Sequence, residues 1–130
     1  MTTGDAASQR TRGEIAADIS NGIVKLFSKY YGRGPVKAKT FLIDNYSVTV
    51  LENTLTTAET TLVRAGRERM VRDFRIAFQT EMAEEFHAVV EQATKRRVLT
   101  YQSQIAFDPD HCFEFFVLDA PPAASDDGAD

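Results

Sequence analysis

Apolar residues recur along the first part of the chain with a helical period. Ile15, Ile19, Ile23, Leu26, Phe27 and Tyr30 share one face, while Arg12, Glu14, Asp18, Lys25 and Lys29 mostly fill the other. This pattern predicts a helix over residues 11–31. Gly32-Arg33-Gly34-Pro35 then stops it, because glycine takes up a left-handed cap and proline cannot continue a helix. The period next changes to alternation. Residues 36–43 and 46–51 are rich in β-branched and aromatic side chains and predict two strands joined at Asp44-Asn45, a pair that tolerates the positive φ of a type I′ turn. Thr56, three residues before Glu59, reads as a capping box with Leu55 as its staple, and Gly66 interrupts the helix that follows. A long helix is expected over residues 67–94, with Met70, Phe74, Ala77, Phe78, Ala83, Phe86, Val89, Val90 and Ala93 as its core-facing set. A second hairpin, residues 98–107 and 112–118, flanks Asp108-Pro109-Asp110-His111. The order helix-hairpin-helix-hairpin predicts an α+β two-layer sandwich: an antiparallel four-stranded sheet with helices on one face.

The ends do not share this patterning. Residues 1–10 read as a flexible tail, and residues 120–130 as a disordered acidic one, since neither carries a large apolar side chain beyond the first methionine. One domain over residues 11–119 remains. A chain of 130 residues, 43% hydrophobic, buries enough surface to fold without disulfide or metal. Its single Cys112 excludes a disulfide framework and a cysteine-rich zinc site. No apolar run approaches the length of a membrane span or a signal-peptide core, so the expectation is a cytoplasmic protein without membrane insertion. The net charge of −4 argues against a protein that coats nucleic acid.

No residue set announces a chemistry. Glu81, Glu84, Glu85 and Glu91 read as a solvated helix face. His87 lacks a metal-binding partner at helical spacing, and Cys112 reads as a small apolar strand residue whose neighbour His111 points to the opposite face. Gly32, Gly34 and Pro35 make a structural turn, not a phosphate loop, because they follow a helix and lack the Lys-Ser/Thr pair. No catalytic residue, metal site or cofactor is therefore expected. The arginines are the most distinctive feature. Arg64, Arg67, Arg72 and Arg75 would spread over one broad face of a continuous helix, where planar guanidinium forks suit an anion or an acidic partner. Pairing with Glu68 and Asp73 is the plainer alternative.

The last strand suggests assembly. Phe113, Phe115 and Val117 share one face and Phe116 and Leu118 the other, which Leu42 and Leu51 would join. Helices cover only one side of such a sheet, so Phe116, Leu118 and Leu42 are expected at a homodimer interface.

Several segments in order resemble the MpsC-like family. They are Tyr31-Gly32-Arg33-Gly34-Pro35, Val48-Thr49-Val50-Leu51-Glu52, Leu55-Thr56-Thr57-Ala58-Glu59, Gly66-Arg67 with Val71 and Arg75, and Phe115-Phe116-Val117-Leu118. The resemblance runs from Glu14 to Leu118. It implies a non-catalytic accessory or regulatory protein near a membrane-potential-generating system linked to inorganic carbon or cation transport. Such a protein would act by binding a protein or an anion, with a membrane transport protein as its partner. A nucleic-acid-associated regulator using the arginine-rich helix start is the alternative.

Overall fold

The computed structural model describes residues 10–35 and 37–125. Helix α1 (Arg12–Tyr31) begins in a capping box: Thr11 accepts from the Glu14 N–H while Glu14 accepts from the Thr11 N–H. Gly32, at φ 80°, ends it by donating its N–H to Ser28. Strands β1 (Lys37–Ile43) and β2 (Tyr46–Glu52) form the first hairpin. Of its two turn residues only Asp44 takes positive φ, so the turn is not type I′. Asn45 instead joins the next hairpin, donating its side-chain amide to the Leu118 carbonyl.

The capping box at Thr56 and Glu59 opens helix α2 (Thr57–Arg64). Gly66 follows at φ 80°, and helix α3 (Glu68–Thr94) starts after it. Strands β3 (Val98–Phe107) and β4 (Asp110–Leu118) complete an antiparallel sheet of order β1-β2-β4-β3. Asp110 ties the two halves together, accepting from the Thr54 and Leu55 N–H groups at 3.0 Å each. β1 is one edge of the sheet, and there the Arg12 guanidinium donates to the Leu42 carbonyl at 2.7 Å.

The helices cover one face of the sheet. Ile15, Ile19, Ile23 and Phe27 of α1 and Val71, Met82, Phe86 and Val90 of α3 bury against Leu51, Ile105, Cys112, Phe116 and Leu118. The buried stripe of α3 is therefore 71-75-79-82-86-90-94, and Met70 and Phe74 lie outside it, each about half exposed. Phe86 and Val90 of the expected set are buried, and Phe78, Val89 and Ala93 pack against the core. The phase therefore holds along the second half of α3 and fails in the first, where Arg75 and Gln79 occupy core positions.

α1 and α3 meet closely at Gly22, where an added Cβ would lie 2.6 Å from Val89 Cγ1. Gly22→Ala should destabilise the fold by about 1 kcal/mol, overpacking outweighing the gain in helix propensity. In a Val89→Ala background the same change should become stabilising, which chemical denaturation of the four chains would show.

Composition alone assigns residues 120–130 to disorder, yet residues 120–125 lie along the fold. The Ala123 N–H donates to the Thr94 carbonyl at the end of α3, the Ser125 N–H to the Arg10 carbonyl, and Pro122 is buried. A helix-end carbonyl with no partner inside α3 holds this segment, together with the burial of Pro122 and the packing of Ala124 on the core. The remainder of that tail, and residues 1–9, fall outside the described residues.

Candidate functional site

The break at Gly66 scatters the four arginines. Arg64 closes α2 and Arg67 precedes α3, both exposed, while Arg72 and Arg75 lie along α3. Arg72 donates to the Ile105 carbonyl at 3.0 Å and rests over the Phe107 ring. Arg75 is only 3% exposed. Its guanidinium grips both carboxylate oxygens of Glu59, at 2.6 and 2.7 Å, and donates to the Thr54 carbonyl at 2.9 Å. It also lies over the Tyr31 ring, 4.2 Å from the centroid. No external anion reaches such a group. The partner comes neither from Glu68 nor from Asp73 but from the preceding helix. Glu59 serves twice, capping α2 and neutralising Arg75. Burial opposes charge on both groups, and their mutual contact outweighs it: the Glu59 carboxyl ends below its usual value and the Arg75 guanidinium above. Only the capping role of Glu59 was legible, because sixteen residues and a helix break separate it from Arg75.

Cys112 lies against this pair, its Sγ 3.6 Å from Arg75. Burial, and then the Glu114 carboxyl, push the thiol up to about 12, so it stays protonated at neutral pH. His111 stands on the other face of β4 beside Glu52, and the two side chains do not converge.

The uncovered face of the sheet is the larger feature. Register places its side chains in rows across the strands: Ile43, Tyr46 and Val117; Phe41, Val48 and Phe115; then Lys39, Val50 and Phe113. Gln102 and Gln104 border it on β3, and Lys37, Glu52 and His111 close one end. Eight apolar side chains thus share a face that no helix covers among the described residues. Phe41, Ile43, Tyr46 and Phe113 are each more than a third exposed. Tyr46 stacks on Phe115 with centroids 5.8 Å apart, His111 on Phe113 at 6.0 Å, and the Lys39 ammonium lies over the Phe41 ring.

This reverses the expected interface. Phe116 and Leu118 are fully buried under the helices, and Leu42 is half-buried against the same core. The set on the uncovered face is Phe113, which is exposed, with Phe115 and Val117, each half-buried. Both faces of β4 are rich in apolar residues, and the carboxyl in its middle, Glu114, points inward and is fully buried. Polarity along the strand therefore favours the wrong side.

Among the described residues no helix is long and apolar enough to cross a membrane. No curated protein and no solved structure matches the chain. Residues 11–120 match the family described as the Na+-translocating membrane potential-generating system (MpsC). That match spans every helix and strand described above, and the chain belongs to the MpsC family.

Proposed function

We propose that this chain is a non-catalytic accessory component of a membrane-potential-generating system and works as a homodimer joined through the uncovered sheet faces. The family description supports the setting, and the eight apolar side chains of that face carry the mode of action. Four strands about 4.8 Å apart and seven residues long make a surface roughly 20 Å square. That is about 400 Å² in projection, to which side-chain relief adds, against the roughly 800 Å² that a specific protein interface buries on each partner. The face is nearly neutral, with Lys37 and Lys39 at one border and Glu52 between Lys37 and His111 in register. A nucleic acid or an anionic lipid surface would select a basic face. A second copy matches this one, because sheets that pack face to face bury two such apolar surfaces. Arg64 and Arg67 stay free for an acidic contact elsewhere on the dimer, whereas Arg72 and Arg75 are engaged within the fold.

Membrane potential in cells lacking the chain, read with a potentiometric dye, tests the setting. Wild-type chain should restore the signal and Phe115→Asp should not. An unchanged potential on deletion refutes the role, and full rescue by Phe115→Asp refutes the part assigned to this face.

A further inference from the structure

The core beneath α3 contains a carboxyl group whose surroundings count protons. Glu114 projects inward from β4 and is fully buried. The Ser103 hydroxyl lies 2.9 Å from Glu114 Oε2, and the Tyr101 hydroxyl makes a short contact with Oε1. That same phenol lies 2.6 Å from Gln79 Oε1. Every element packed around the carboxyl contributes something to its setting. Arg75 comes from α3 but is held by Glu59 of α2; His87, also from α3, meets the edge of the Tyr101 ring. Tyr31 comes from α1, Cys112 from β4 itself, and Thr49 of β2 is the cross-strand partner.

A phenol has one proton, and two oxygen acceptors compete for it here. With Glu114 ionised, the Tyr101 proton goes to the carboxylate, and Gln79 Oε1 is left against a phenol oxygen with no hydrogen between them. With Glu114 protonated, its O–H donates to Tyr101, Tyr101 donates to Gln79 Oε1, and Ser103 donates to the second carboxyl oxygen. Each close contact then holds one proton. This orientation of the amide thus belongs to the neutral acid. It leaves Gln79 Nε2 buried and without a partner. A half-turn of the amide gives the other solution: Nε2 donates to Tyr101, whose own proton then serves the carboxylate.

We propose that Glu114 is a buried binding site for one proton, relayed through the Tyr101 hydroxyl to the Gln79 amide, which turns either its donor or its acceptor toward the gap between α3 and β3. This site is separate from the docking face and does not depend on it. Gln79 and Ser103 line two openings in that gap, one of about 300 Å³ and one of about 20 Å³, the latter able to hold a single water molecule. Burial raises the Glu114 carboxyl to about 7, against the lowering influence of Tyr101, Ser103 and Arg75. Its proton is therefore exchanged in the neutral range. Because the folded value lies above the unfolded one, the stabilisation it gives is complete below about 4.5 and is lost as pH rises through about 7.

Nuclear magnetic resonance on the full chain, with carbon-13 at glutamate carboxyls and nitrogen-15 at glutamine amides, tests both parts from roughly pH 5 to roughly pH 9. One carboxyl should titrate near neutrality, and the Gln79 amide should follow with the same midpoint. Glu114→Gln should abolish both signals. Tyr101→Phe should keep the carboxyl titration, moved upward, and uncouple the amide. A Glu114 carboxyl that titrates with the exposed glutamates overturns the site. A Gln79 amide that ignores the carboxyl in the wild type, or still follows it in Tyr101→Phe, overturns the relay. The wild-type titration decides the proposal even if a variant fails to fold.

Discussion

Arg75→Met should cost about 3–5 kcal/mol of folding stability at neutral pH, a large share of the 5–15 kcal/mol that holds a typical domain together. Methionine fills much of the space but leaves Glu59, itself only 6% exposed, as a buried carboxylate without its counterion. The Thr54 carbonyl loses a donor at the same time. Glu59→Gln in the same chain should restore much of the loss, because a neutral amide needs no counterion and can still cap α2. Urea denaturation of the two single variants and the double variant yields the coupling. A loss below about 1 kcal/mol for Arg75→Met would mean that the pair is effectively solvated. The pH dependence has a definite sign. Arg75 holds the folded Glu59 carboxyl below its usual value, so the pair's contribution is present above the ordinary carboxylate range and disappears as acid protonates Glu59. The Glu114 contribution runs the opposite way.

Phe116→Ala and Phe115→Ala, one residue apart, should behave as unlike substitutions. Phe116 is fully buried and stacks on Tyr101 with ring centroids 4.7 Å apart. Its truncation leaves a cavity between sheet and α3, and about 3–5 kcal/mol should be lost. Phe115 lies in the middle row of the uncovered face, against Val48 and Tyr46. Its truncation should change monomer stability by about 1 kcal/mol or less, and should weaken the dimer instead. Light scattering at micromolar concentration should show Phe115→Asp as a monomer and the wild type as a dimer. A monomeric wild type, or a Phe115→Asp chain that still pairs, would remove the sheet face as the dimer contact.

Element order was legible in the sequence because starts and stops are local chemistry. Thr11 and Thr56 with glutamates three residues on, Gly32 after α1 and Gly66 between helices each act within a single turn. What stayed hidden was which face turned inward. In α3 the buried stripe contains Arg75 and Gln79, and in β4 it contains Glu114. A reading that expects apolar residues inside moves off the true face at these positions. Each of the three takes partners distant in sequence, at Glu59, Tyr101 and Ser103, which no periodicity displays. The residues that misdirect the pattern are thus the ones that form the polar heart of the molecule.

The guanidinium of Arg12, set on the Leu42 carbonyl, has a consequence for how large an assembly can grow. An open strand edge invites another strand, and that addition can repeat without limit until it makes fibres. A flat face, once covered by its twin, offers nothing further. In the dimer proposed above, a side chain from α1 stoppers the β1 edge at Leu42 and pairing uses up the broad face. Growth through either is limited to two chains.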